Sequence, residues 1–494
     1  MGFFFFLYRA FVLREATAVL DCMWRVPPSF LRRVSSTMSN YNTKLLQLES
    51  AIHTTKPSDF GLMFSDAESN SSSSFQDPCE ILQVSFTSDV TQQSLEKAAA
   101  HIRAGELVAF PTETVYGLGA CALRTDAAER IYRAKNRPAD NPLIVHISDR
   151  RMLSQLVPKD FHMNKACDTL IKAFWPGPLT LLFPVGRNEQ DEPYVPTTVT
   201  CDQPTVGIRM PSHPVARALI AMAGVPIAAP SANASGRPSP TTAEHVLDDL
   251  GQRQVLSCIL DGGKCDIGLE STVVDATTVP NEVRILRPGG ISVEQLTREL
   301  NRAGLSDIVI RVYGKDLPGN LSENVKPTTP GMKYRHYSPE ARVILIQLRE
   351  NHVCTSMNDV LHDALSSCVE DHVPHVGVMC ALDSPLVQLL KVPDLVQWTK
   401  QATMDDYLSP VYRTEHFQLC FYSLGYQDAP DIAARRLFDG LRTLDACVPW
   451  HDETRTCDVI ISESLPEHGV GLAIMNRLKK AASRSICVRK NGSA

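Results

Sequence analysis

The sequence predicts an α/β protein with a large mixed-sheet domain followed by a smaller doubly wound one, and three observations lead there. From about Val84 to Gln295, short apolar runs alternate with stretches of helical periodicity. A second alternating series follows Pro339, with strand-like runs at Val343 to Leu348, Val376 to Cys380 and Val459 to Ser462. The 494 residues are 44% hydrophobic and 21% charged, an ordinary composition for a folded chain with room for two or three domains.

Each element has its own signal. Leu107 to Phe110 is an apolar run broken at Pro111 into a polar turn with Thr112, Glu113, Thr114 and Tyr116. Asp126 can cap a helix through Lys135, and Pro138 forbids its continuation, so Lys135 and Arg137 stand together near Asn136 and Asn141. Leu143 to Ile147 returns to the sheet with His146 on it. Leu95 to Ile102 and Met163 to Phe174 read as helices, and Leu179 to Val185 and Val206 to Met210 as strands. Val215 to Ala223 is a helix stopped by Gly224 before the buried run Pro226 to Ala229. In the second series, Ile432 to Cys447 and Leu472 to Ala482 are helical.

The ends and joints differ in character. Residues 1 to about 40 combine Phe3 to Leu7 with five arginines against Glu15 and Asp21, the pattern of an amphipathic organellar presequence; the apolar run is far shorter than the ~20 residues that span a bilayer. Met38 is an alternative start for a cytosolic form, so the expected location is cytoplasmic, and mitochondrial as well if the leader is used. The SNSSSS run at Ser69 to Ser74 marks a flexible linker, with folding beginning near Ile81. Lys315 to Pro339 is a long connector rich in proline that carries Lys333, Tyr334, Arg335, His336 and Tyr337, a lid or a tether. The divisions expected are therefore 1–76 as extension, 77–298 as the first domain, 299–340 as linker and 341–494 as the second domain.

Charge and cysteine content exclude several classes. A net charge of −6 gives no global attraction to nucleic acid or anionic membrane, so any anion site is local. Fourteen cysteines without a CxxC pair argue against structural zinc and for reduced thiols. There is no Walker motif, and Gly117, Gly119 and Ala122 only weakly mimic a dinucleotide fingerprint.

Four clusters carry chemistry. The first is the opening stretch with Thr114, Lys135, Arg137, Asn141 and His146; the second is TVGIRMP, where Thr205 and Arg209 share one face of a strand. APSANASGRPSP brings Ser231, Asn233 and Ser239 to a strand end. The fourth runs from DGGKCDIGLESTVVD to LRPGG and offers Ser271, Thr272 and Arg287. Four cations with many hydroxyls and little acid suit a polyphosphate or carboxylate, since each charge-assisted bond contributes roughly 1.5 to 3 kcal/mol. Taken singly, a lysine at a helix end, a serine beside glycine or a histidine in an apolar strand has an ordinary structural explanation; their recurrence at successive strand ends of one domain is the signal.

In order along the chain, PTETVYGLG, KNRPADNPLIVH, FWPGPLT, VGIRMPSHP, PIAAPSANASGRPSPT, GLESTVVD and LRPGGIS resemble the YrdC/Sua5 family of threonylcarbamoyl-AMP synthases. PGMKYRHYSPEA, LFDGLRTLDA and GVGLAIMNRLKKAA resemble the linker and second domain of its longer, Sua5-type members. The likeness covers most of residues 92 to 490; the leader to about Gln76 lies outside it, and Cys447 to Thr456 departs locally. The fold implied is a YrdC-like twisted mixed-sheet domain joined by a linker to a smaller Rossmann-like α/β domain.

The resemblance also implies the reaction. L-threonine, bicarbonate and ATP give threonylcarbamoyl-AMP and pyrophosphate, for the threonylcarbamoyl modification of adenosine 37 in tRNAs reading ANN codons. Carried over by motif, Thr114, His146, Arg209, Ala229 and Ser271 hold threonine, with Arg209 on its carboxylate. Lys135, Arg137, Asn141, Thr205, Ser231, Asn233, Ser239, Arg287 and Tyr337 surround ATP, and Lys135, Arg137, Ser231 and Asn233 are the catalytic candidates. Magnesium is expected to ride on ATP, with no metal site of the protein's own. The downstream partner is the tRNA-modifying transfer machinery, with weak RNA contact an option and no membrane. Two other readings compete: a carbamoyl-adenylate-forming maturation factor, which the lack of CxxC modules disfavours, and a non-catalytic binder of double-stranded RNA, which the net charge disfavours.

Overall fold

The computed structural model describes residues 43–48, 56–65, 82–317, 327–332, 336–349, 356–366, 373–446 and 456–489. The first forty-two residues, Tyr334 and Arg335 of the connector, and most of Cys447 to Thr456 lie outside that set.

Thirteen strands precede the connector: β1 (Lys44–Gln47), β2 (Leu62–Ser65), β3 (Gln83–Phe86), β4 (Val108–Phe110), β5 (Gly117–Cys121), β6 (Ile144–His146), β7 (Leu179–Pro184), β8 (Thr205–Arg209), β9 (Ile227–Ala228), β10 (Cys258–Asp261), β11 (Thr272–Asp275), β12 (Glu282–Arg287) and β13 (Val309–Val312). Eleven of them form one sheet in the order β1-β10-β4-β5-β9-β6-β8-β7-β11-β12-β13, while β2 and β3 pair by themselves. The sheet is mixed: β6 runs parallel to β8, and β9 is antiparallel to both β5 and β6. The loops after β4 and β9, the loop before β11 and the ends of β6, β8 and β12 supply the polar residues described below.

Ordered structure starts well before Ile81. Lys44–Gln47 pairs in parallel with β10 and extends the sheet edge, and Leu62–Ser65 forms a hairpin-like pair with β3. These four-residue strands are too short for periodicity to reveal them, and their partners lie far along the chain. The run Gly117–Cys121, read as a weak fingerprint, is a buried strand. Its glycines serve packing: a Cβ on Gly119 would lie 2.6 Å from the Phe110 ring and 2.8 Å from Ile227. Two helix starts also shift. Ser88 caps the helix Asp89–Arg103, accepting from Thr91 N at 3.4 Å. Arg124, not Asp126, occupies the cap of Thr125–Lys135, with Asp126 in its first turn bonded back to Arg124.

The second sheet contains β14 (Arg342–Arg349), β15 (His375–Cys380), β16 (Tyr412–Arg413), β17 (Gln418–Ser423), β18 (Val459–Glu463) and β19 (Arg484–Arg489) in the order β16-β17-β15-β18-β14-β19. All pairings but β16 with β17 are parallel. Helices cover both faces, as the period of two demands. Val343 and Leu345 of β14 join a core with Phe438 and Ile474, whereas Ile344 and Ile346 face a core with Val360 and Leu395. The first of these cores also takes in Val115 and Leu269 of the first sheet's loops and Tyr337 of the connector. Hydrophobic burial is therefore continuous across the joint. Ion pairs reinforce it, the buried Arg442 to Asp249 and the partly exposed Lys264 to Asp439, at 2.8 Å each.

Candidate active site

The strand ends converge on a cavity of about 50 Å³ lined by the Thr112–Gly117 loop, Arg137, His146, Arg209, the Ala229–Ser231 run, Glu270, Ser271, Arg287 and, from the connector, Pro330, Gly331, His336 and Tyr337. A larger concavity lies along the helix Val293–Arg302, but residues of that one helix supply all of its lining. Small-molecule sites usually enclose ~300 to 1,000 Å³, so the polar cavity is contracted, with the connector occupying part of it.

Backbone geometry presents the cations. The helix Thr125–Lys135 ends because Asn136 adopts the left-handed conformation at φ 52°, a form Asn tolerates well. Lys135 thus points inward, where its ammonium donates to the carbonyls of Ser231, at 2.5 Å, and Asn233. Burial, and then the neighbouring Arg137, pull its pKa well down. Arg137 donates from Nε to Asn141 O at 3.0 Å and from Nη2 to Pro142 O at 2.9 Å, so its own loop holds the guanidinium flat. At the far wall Arg287, at the end of β12, donates through Nη2 to Ser271 O at 2.9 Å and Ser271 Oγ at 3.1 Å. Burial lowers its pKa to about 10, which leaves it charged at neutral pH.

His146 and Arg209 face each other across the parallel pair β6 and β8, where they are register partners. Arg209 is buried and bound: Nη2 donates to Glu113 Oε1 at 2.5 Å, and Nε to Gly177 O at 3.2 Å. The other oxygen of Glu113 accepts from the backbone N–H groups of Ser212 and His213. Burial, and next the charge on Arg209, hold the His146 pKa near 3, so its imidazole is neutral. Its Nδ1 has no hydrogen-bond partner among the described residues, although it is buried in the cavity wall.

Of the residues expected in the site, Thr114, Arg137, His146, Arg209, Ala229, Ser231, Ser271, Arg287 and Tyr337 line the cavity. Lys135, Asn141 and Asn233 lie one layer behind, where Lys135 and Asn141 are bonded to residues of the lining; Asn233 Oδ1 accepts from Ser231 Oγ. Ser239 also lies behind, donating to Glu270 Oε1 at 2.7 Å. Thr205 is not brought in: it begins β8, four residues from Arg209, outside the lining. Sharing a face of a strand does not bring two side chains to one end, because four residues span roughly 13 Å.

The expectation of little acid is corrected. Two carboxylates, Glu113 and Glu270, are buried at the site, each against an arginine. Burial opposes ionisation of Glu270, but Arg477, Arg287 and Ser239 hold its pKa down to about 2. Both acids sit inside quoted motifs, PTET and GLEST, but their arginine partners are 96 and 207 residues away in sequence.

Comparison with known proteins bears directly on this arrangement. A family model described as telomere recombination, covering the Sua5, YciO and YrdC proteins, matches residues 100–289, and one described as threonylcarbamoyl-AMP synthase, C-terminal domain, matches residues 291–483. The threonylcarbamoyl-AMP synthase of Schizosaccharomyces pombe is 40% identical over 424 residues, 82% of this chain and 92% of its own length. The chain belongs to the Sua5 family of threonylcarbamoyl-AMP synthases. The Bacillus subtilis synthase is also 40% identical, over 78% of this chain and 92% of its own. A crystal structure of P. abyssi Sua5 complexed with L-threonine superposes with a TM-score of 0.60 at 38% identity, covering 80% of this chain and 96% of that one. As a member of this family the chain is an ATP-dependent enzyme of the nucleotidyltransferase kind, a threonylcarbamoyl-AMP synthase of tRNA modification. Neither the RNA-binding nor the maturation-factor reading is favoured by these relatives.

Proposed function

We propose that the cavity between Thr114, Arg137, His146, Arg209 and Arg287 is where threonine, bicarbonate and MgATP are joined. The observation that supports this most is the convergence of three arginines on one cavity with Lys135 directly behind them. Threonine occupies the β6–β8 end. Its carboxylate meets Arg209, whose orientation Glu113 and Gly177 fix in advance, and Thr114, Ala229 and Ser271 complete the contacts. Neutral His146 offers the free Nδ1 beside that cation to the polar groups of the substrate.

The triphosphate lies toward Lys135, Arg137 and Arg287, with Ser231, Asn233 and Asn141 behind it. These cations are already hydrogen-bonded to backbone carbonyls, so they are oriented before the nucleotide arrives. The neutral amine of threonine adds to the carbon of bicarbonate or its carbon dioxide, forming a carbamate as water leaves. A carbamate oxygen attacks the α-phosphorus, and the bond to the β,γ-pyrophosphate breaks. Catalysis rests on positioning and on charge stabilisation of the phosphoryl transition state, without a covalent nucleophile. Magnesium arrives with ATP, and the two buried carboxylates of the site, Glu113 and Glu270, are each committed to an arginine.

A cavity of about 50 Å³ is smaller than these substrates, so Pro330, Gly331, His336 and Tyr337, the connector residues that line it, withdraw to admit them and return to shield the adenylate from water. Tyr337 marks the closed position, its ring 5.2 Å from that of Phe438 in the second lobe. Pyrophosphate release by the purified chain tests the reading. Release that requires both L-threonine and bicarbonate is the expected result; ATP left intact in every combination refutes it.

A further inference from the structure

Arg477 sits on the helix Gly471–Ala481 of the second lobe, yet its guanidinium belongs to the wall of the first. It is the largest fully buried side chain described, with no exposed surface. Nε donates to Glu270 Oε2 at 3.0 Å, and Nη2 lies 3.0 Å from Glu270. Nη1 donates to Pro288 O, within the LRPGG turn that follows Arg287, and the guanidinium carbon lies 5.8 Å from the centre of the Tyr337 ring. One turn further along the helix, Lys480 donates to Gly331 O of the connector. A single helix of the second lobe thus touches Glu270, the turn after β12, and Gly331 and Tyr337 of the connector.

Glu270 is the anomaly that gives this contact a purpose. It lines a cavity otherwise suited to a triphosphate, where an uncompensated carboxylate would repel the ligand across a poorly screened distance. Its other oxygen is needed, because it accepts from Ser239. A buried carboxylate that must keep its acceptor oxygens but lose its field requires a fixed cation, and neither Arg287 nor Arg209 is bonded to it.

We infer that Arg477 is a positioning residue for nucleotide binding, acting as the counter-ion that neutralises Glu270 at the cavity wall, so that the second lobe completes the active site of the first. The inference rests on the reading of the cavity as the ATP site. It assigns the second lobe a chemical role, to supply the charge that the first lobe's own acid requires.

ATP binding to the full chain by calorimetry, with Arg477→Met, Glu270→Gln and the double variant, tests it. Arg477→Met weakens ATP binding about tenfold or more, and adding Glu270→Gln restores it to within about threefold of the parent, because glutamine keeps the acceptor for Ser239 and carries no charge. A purely structural arginine would lower the urea stability of Arg477→Met but leave the ATP affinity of the folded variant at the parental level. If Arg477→Met does not fold, the double variant is read alone: it folds and binds ATP under this inference, and a folded double variant that fails to bind overturns it. Unchanged binding in Arg477→Met, or a loss that Glu270→Gln does not relieve, also overturns it while leaving the cavity's assignment intact. Absence of ATP binding by the parent chain removes that assignment, and the inference with it.

Discussion

At the scale of single residues, the proposed threonine site turns on the pair Arg209 and Glu113, which also sets how the site responds to mutation. Both are buried, and Glu113 spends its remaining oxygen on two backbone donors. Arg209→Ala therefore removes threonine-dependent turnover and also strands a buried carboxylate, a loss of about 3 to 5 kcal/mol in stability. Adding Glu113→Gln recovers most of that stability but no activity. Urea titration beside a turnover assay separates the two effects, and an active double variant would remove Arg209 from the carboxylate contact. Lys135→Met should act differently: the methylenes stay packed, stability changes by under about 2 kcal/mol, and kcat/KM for ATP falls by about 100-fold or more. A variant that keeps near-parental kcat/KM contradicts the role given to Lys135. Arg209 and Arg287 were legible in the sequence because each ends an apolar run, and Arg137 because it stands beside the proline that stops a helix. Their acidic partners were not, since a contact between residues about a hundred or more positions apart leaves no trace in local spacing.

At the scale of elements, the site depends on close backbone approaches that only glycine permits. Gly289, in the turn after β12, lies against Glu270 O, Ser271 C and Thr272 N, so a Cβ there would meet backbone that cannot rotate away. Gly289→Ala is expected to cost about 1 to 3 kcal/mol and to weaken ATP binding by displacing Ser271 and Arg287 together. Thermal unfolding beside ATP titration checks this; a stable variant with parental affinity would show that the turn is not tightly coupled to the site. Long amphipathic helices such as Pro430–Asp445 and Gly471–Ala481 could be read from periodicity to within about two residues. Short strands were legible where an apolar run marked them, as at Val108–Phe110, Ile144–His146 and Thr205–Arg209, whereas Gly117–Cys121 was hidden because its glycines, demanded by Phe110 and Ile227, suppress the usual apolar signal.

At the scale of the whole molecule, one core and the two buried ion pairs Arg442–Asp249 and Arg477–Glu270 join the two sheets, and no described helix is long and apolar enough to cross a membrane. Four histidines, His146 and His213 buried and His245 and His336 partly buried, predict a pH dependence. Burial is the first cause in each case and lowers His146, His245 and His336 to about 3 and His213 to about 4. Their unfolded values are near 6.5, so below that pH the unfolded chain binds protons that the folded chain refuses. Stability is thus fully present above pH ~6.5 and declines as pH falls toward 4, by up to about 1.4 kcal/mol per pH unit for each histidine. Denaturant unfolding at pH 7, 6 and 5 should show that decline, and a flat profile would contradict neutral burial. The two-sheet class and the ligand-bearing half were readable from sequence; the interpenetration of the lobes, with Arg477 reaching the site from the second, was not.

The most direct test of the central claim is to supply ¹³C-bicarbonate, ¹⁵N-threonine and ATP to the purified chain and examine the products by mass spectrometry. A single adenylate that carries both labels, formed together with pyrophosphate and absent when Lys135→Met is used, is the predicted result. AMP and pyrophosphate without a doubly labelled adenylate, in a mixture quenched before hydrolysis, would contradict it.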